Sequence, residues 1–187
     1  MAATMILRAV CVALACCPAA IAEEWQADQG SGTLNFSAMQ AGADFTGGFG
    51  RFEVKLDFDP SKPASGRLDV TVATSSIDTQ DAERDEILRS RDFFWTDEHP
   101  QAAFHAEHFQ RDGAGWRAEG MLAIRGVTKP AVVRFTLAPA TGAAVMKGTS
   151  SLRRLDFGLG QGDFASTEWV GDAVDVQFEL KLRPTIR

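Results

Sequence analysis

The chain reads as an all-β domain, an antiparallel barrel or sandwich of about eight short strands with one helix. Three observations carry this. Apolar and polar residues alternate strictly in several places, most cleanly in "RFEVKLDF" at 51–58 and "VDVQFELKL" at 174–182. Turn residues punctuate the alternating runs: "GGFG" at 47–50, "DPSKP" at 59–63, "RDGAG" at 111–115 and "GVTKP" at 126–130. Only "TQDAERDEILRS", 79–90, has helical character.

In chain order, residues 1–22 read as a cleavable secretory leader. Arg8 is their only charge, Ala9 to Cys17 is an apolar run, and Ala20-Ile21-Ala22 follows Pro18. The run is too short to span a bilayer, and export to the periplasm is expected. A lipoprotein with Cys16 or Cys17 lipidated is the rival reading. Against it, Ala13 stands three before Cys16 where a bulky residue is expected, and Cys17 follows another cysteine. The remaining segment, 23–187, is long enough for one domain with a sizeable core. All three cysteines lie in the leader, so this domain is expected to rely on burial without disulfides or thiol chemistry. Without Arg8 it carries 18 basic and 25 acidic residues, a net charge of −7. That balance argues against nucleic acid or an anionic membrane surface as the main partner.

Strand by strand, Phe52, Val54, Leu56 and Phe58 share one face of 51–58, with Glu53, Lys55 and Asp57 opposite. Val174, Val176, Phe178, Leu180 and Leu182 repeat this in 174–182. Weaker alternation marks 33–39, 67–74, 102–109, 116–124, 131–138 and 144–152. The helix places its acids early and Arg89 late, which suits the macrodipole, with Thr79 or Asp78 as cap. In "MLAIRGVTKPAVVRFTL", 121–137, two alternating stretches flank Arg125, Gly126, Lys129 and Pro130. Their apolar faces could meet a filled core or line a hollow, since a small closed barrel does either.

Catalytic and metal chemistry finds little support. His105 and His108 lie three apart on a strand and should face opposite sides, and His99 precedes Pro100 in a loop. No metal site is expected. The acids Asp78, Asp81, Glu83, Asp85 and Glu86 read as an exposed helix paired with Arg84 and Arg89. "GLGQG" at 158–162 lacks the strand, helix and Lys-Ser/Thr context of a phosphate loop, and there is no Gly-x-Ser-x-Gly elbow. "SRDFFWTDEHP" at 90–100 is expected either to plug one barrel end or to gate a tunnel mouth, with Phe164 and Trp169 opposite. Arg125 and Arg154 are candidate rim contacts for a polar head group.

Six segments in order resemble the YceI-like exported lipid-binding proteins. After Trp25 and a first strand reaching Phe36 come "GGFGRFEVKLDFDPSKP", then "SSIDTQDAERDEILRSRDFF" with its Arg84-Asp85 pair, then "HPQAAF". "GMLAIRGVTKP", "RRLDFG" and "VGDAVDVQFEL" complete the match. The resemblance implies an eight-stranded, lipocalin-like antiparallel barrel, capped by a helix and holding a polyisoprenoid chain in an apolar tunnel. Ligand-binding candidates are then Phe36, Phe45, Phe52 and Val54 from the first half, and Leu122, Ile124, Phe135 and Phe178 from the second. Met39, Phe94, Phe157 and Trp169 join them around the tunnel and its mouth. Many members carry a His after the first-strand Phe, where this chain has Met39 and Gln40. In this the chain resembles a glutamine-bearing subgroup, some of whose members are encoded with, or fused to, a di-haem b-type membrane cytochrome. The expectation is therefore a non-enzymic binding protein for a polyisoprenoid or isoprenoid quinone, with no other cofactor. A quinone-presenting accessory of that cytochrome and a solid-core structural or stress protein are the alternatives. A homodimer is left open.

Overall fold

The computed structural model describes residues 24–27 and 30–185, so the leader expected at 1–22 and the cysteines within it lie outside the described residues. Among the described residues there are eleven strand segments: β1 (Glu24–Ala27), β2 (Gly32–Gln40), β3 (Ala43–Phe49), β4 (Phe52–Asp57), β5 (Arg67–Ala73) and β6 (Ile77–Asp78) precede the helix α1 (Ala82–Arg89). After it come β7 (Gln101–Asp112), β8 (Gly115–Ile124), β9 (Val127–Ala140), β10 (Ala143–Arg153) and β11 (Val170–Pro184). Neighbours pair antiparallel from β4 through β5, β7, β8, β9 and β10 to β11, and β1 closes the circuit by pairing with both β4 and β11. The result is the expected closed eight-stranded barrel with one helix. At the α1 end, β2 takes the place of β1 beside β11, and β3 pairs with β2.

Local chemistry explains where the elements begin and end. Arg125 and Gly126 both adopt positive φ (50° and 74°), the twist a two-residue hairpin between Ile124 and Val127 requires. Lys129 and Pro130, expected in the reversal, instead belong to β9. Proline is tolerated there because β10 pairs with β9 only from Arg134 onward. "GGFG", expected as a turn, contributes most of its residues to β3. Glycine fits this strand because a Cβ at Gly47 would lie 2.6 Å from the Phe36 ring. The helix begins later than expected, with Asp81 as cap accepting from the Arg84 N–H (3.1 Å). Gln80 has φ of 59°, outside the helical region, so neither Asp78 nor Thr79 can cap α1.

Two apolar clusters stand at opposite ends. One stacks Phe58 against Phe109, Trp116 and Phe135, with ring centroids 5.0, 4.8 and 5.9 Å apart, and fills the barrel there. The other packs Ile77, Leu88, Phe93, Ile124, Phe157 and Leu159 beneath α1 and the 154–164 loop. Between them, inward residues such as Leu34, Phe36, Val70, Leu122, Val133, Val176 and Phe178 are only half-buried. An inward apolar residue in a filled core has no accessible surface left. These border a void.

Candidate functional site

The void is a cavity of about 440 Å³. Its floor is Val54, Leu68, Phe104, Met146 and Leu180, above the aromatic stack. Its mid-wall is formed by the half-buried residues named above. Apart from Asn35 and Ser150, its polar wall gathers at the α1 end, in Gln40, Asp81, Glu83, Arg84 and Arg154. Asp81 and Glu83 are exposed and mark the mouth. Here the Arg84 Nε donates to Gln40 Oε1 (3.1 Å), its Nη2 lies 3.3 Å from Asp81, and its guanidinium sits 4.6 Å above the Phe45 ring.

At the same end, Arg154 is 3 % exposed. Its Nε donates to the Gly171 carbonyl (2.9 Å) and its Nη1 to that of Leu159 (2.7 Å). Nη2 donates to the carbonyls of Val170 (2.8 Å) and Ser166 (3.2 Å). Burial lowers the guanidinium pKa, and the charge of Asp172 opposes that shift. Arginine stays protonated even so.

The residues singled out from the sequence divide by position. Phe36, Phe45, Phe52, Val54, Phe94, Leu122, Ile124 and Phe178 line the cavity. Met39, Phe135, Phe157 and Trp169 do not. Met39 is 42 % exposed because strand parity points Phe36, Ala38 and Gln40 inward and so turns Met39 out. Trp169 is 57 % exposed just before β11, so it does not close the mouth. Phe135 belongs to the filled end. Phe157 is buried in the cluster under α1.

The aromatic trio separates in the same way. Phe93 and Phe94 turn inward, and Phe93 meets Phe164 at 5.2 Å. Trp95 has φ of 47° and packs on Arg91 and His99 instead. Arg125 donates to the Arg91 carbonyl and does not reach the cavity, so only Arg154 of the two candidate arginines lines it. Both His105 and His108 face away from the interior, contrary to the spacing argument. A bulge between Ala106 and His108 shifts the phase of β7, so Phe109 is the buried residue. Asp81, Glu83 and Arg84, read as a solvated helix face, belong to the wall. For Arg84 the signal was helical spacing, since it shares a face with Ile87 and Leu88.

The loop carrying Arg154 is pinned by Asp172, which accepts from Arg153 Nε (2.6 Å) and the Leu155 N–H (3.1 Å). Burial pushes the Asp172 pKa up. The Leu155 and Arg153 hydrogen bonds and the charges of Arg153 and Arg154 more than reverse this, leaving it below 3.8. The folded state therefore binds fewer protons than the unfolded one. This stabilisation is present above the unfolded pKa and is lost as pH falls through the folded one. Asp172→Asn is expected to cost about 1 kcal/mol near pH 7 and much less near pH 2. Urea unfolding at the two pH values checks this, and an equal penalty at both would contradict it.

The sequence pattern of the YceI-like domain matches residues 25–182. The chain belongs to the YceI-like family. Protein YceI of Escherichia coli is 38 % identical over 105 residues, 56 % of this chain and 55 % of that protein. The chain thus spans about half the length of the curated relatives it matches. Among solved structures, BcnA of Burkholderia cenocepacia superposes with a TM-score of 0.79 at 26 % identity, covering 83 % of this chain and 98 % of BcnA. A polyisoprenoid binding domain from Saccharophagus degradans superposes with a TM-score of 0.65, covering 86 % and 98 % of the two chains. At 14 % identity that likeness shows the YceI-like fold alone.

Proposed function

We propose that this protein is an exported, periplasmic carrier that holds the chain of a polyisoprenoid or isoprenoid quinone inside its barrel. The observation that carries this reading is the 440 Å³ cavity walled by half-buried apolar side chains. Were it empty and dry, such a void would cost up to roughly 10 kcal/mol at the cost per volume measured for engineered cavities, comparable to the net stability of a whole domain. Each methylene placed there contributes roughly 0.8 kcal/mol, so about ten contribute roughly 8 kcal/mol before association costs. A hydrocarbon tail is the occupant whose chemistry matches this wall. The Saccharophagus domain, described as polyisoprenoid binding, shares the barrel and supports the reading at the level of fold. The leader at 1–22 supports export. A carrier role accords with a wall whose charged groups all stand at one end.

The protein is expected to retain lipid through purification. Native mass spectrometry of the purified protein should show a mass above that of the polypeptide, and organic-solvent extraction should release an isoprenoid species. A bare polypeptide mass together with an extract free of long-chain compounds would overturn the proposal.

A further inference from the structure

Of the four charged residues in the cavity wall, three stand at the mouth. Asp81 and Glu83 are exposed, and Arg84 is paired with Asp81. Arg154 alone is buried, and among the described residues no carboxylate lies within ion-pair distance of it. Its nearest acidic influence, Asp172, is already engaged by Arg153 and the Leu155 N–H. A guanidinium has five N–H groups. The four carbonyl bonds account for all but one, on Nη1. The backbone closes tightly on that atom, since a Cβ at Gly160 would overlap Nη1. Val170, whose carbonyl Arg154 holds, stands opposite Gln40 in the β11–β2 register. Gln40 gives its oxygen to Arg84, which leaves its amide N–H groups as donors on the same side of the cavity.

We propose that Arg154, with the Gln40 amide beside it, anchors an anionic head group, a carboxylate or a phosphate, on the amphiphile whose tail fills the barrel. The inference rests on the lipid-binding reading of the same cavity and adds the chemistry of the head. Carbonyl dipoles solvate a buried cation without neutralising it. An anion in the cavity neutralises it and accepts from the Gln40 N–H groups in a charge-assisted bond, about twice as strong as one between neutral groups. An alcohol head with the same tail obtains the burial and forgoes the charge.

Titration calorimetry of the delipidated protein with geranylgeraniol, geranylgeranoic acid and geranylgeranyl phosphate tests this, because the three share one tail. At least one anionic compound should bind about tenfold more tightly than the alcohol or better. A gain confined to the carboxylate or to the phosphate identifies which head is used. In Arg154→Gln the preference should fall to within about twofold, whereas Arg154→Lys, which keeps the charge, should retain it. The inference is overturned if the alcohol binds wild-type protein as tightly as both anions, or if folded Arg154→Gln keeps the full preference. The wild-type comparison stands even if Arg154→Gln does not fold. If none of the three binds, the lipid reading itself fails, whereas equal binding of all three removes only the head-group assignment.

Discussion

Leu122→Trp is expected to release the bound lipid while leaving the barrel folded. Leu122 lies two residues before the end of β8, paired with Phe104 and Lys129, and it lines the cavity. The larger ring would enter open space and take the volume of part of the tail. Excluding about three methylene groups removes roughly 2.4 kcal/mol, or about fiftyfold in affinity. Ile124, two residues on, is the poorer choice. It is 6 % exposed and packed under α1, where added volume strains its neighbours. Native mass spectrometry reads the lipid load, and near-ultraviolet circular dichroism confirms folding. A folded Leu122→Trp protein with undiminished lipid would refute the assignment of this void as the lipid site.

Asp85→Ala should destabilise the protein by about 3 kcal/mol, which for a domain of this size lowers the melting temperature by about 6–12 °C. Asp85 is 7 % exposed, and its Oδ1 accepts from both the backbone N–H (2.8 Å) and the hydroxyl (2.7 Å) of Thr79. Its Oδ2 lies 3.7 Å from Arg89, which also donates to the Ile77 carbonyl. This one carboxylate thus ties the first turn of α1 to the segment leading out of β6. Truncation leaves two donors of buried Thr79 without their partner, which accounts for the size of the expected effect. Because α1 carries Glu83, Arg84 and Ile87 into the cavity wall, loosening it should also speed lipid exchange. Thermal melts and exchange into lipid-free acceptor vesicles measure the two effects. A melting temperature within about 2 °C of wild type would show that Asp85 does not hold the helix.

The strands were legible where one side of the chain must face oil and the other water. "RFEVKLDF" and "VDVQFELKL" show the burial alternation their letters imply. The reading weakened wherever a neighbouring element changed the local rule. Two glycines in β3 look like a turn until the Phe36 ring is seen beside Gly47. A bulge in β7 turns both histidines outward where strict alternation would have pointed one of them in. Arg84 reads as a surface charge until α1 is laid across the barrel end.

The amino-acid sequence by itself determined that short antiparallel strands form, which residues turn inward along most of them, and, through its resemblance to the YceI-like proteins, that a closed barrel with a hollow was to be expected. Only the tertiary structure decided where that hollow lies. Phe58 and Phe135 have the same inward, apolar signature as Phe36 and Phe178, yet the first pair meets rings from across the barrel and the second borders space. Arg125 and Arg154 were likewise indistinguishable as letters, and loop closure buries one and leaves the other outside the cavity. Alternation records which side of a strand a residue occupies. Whether that side is filled depends on how far side chains from opposite strands reach, and that distance is set only when the barrel closes.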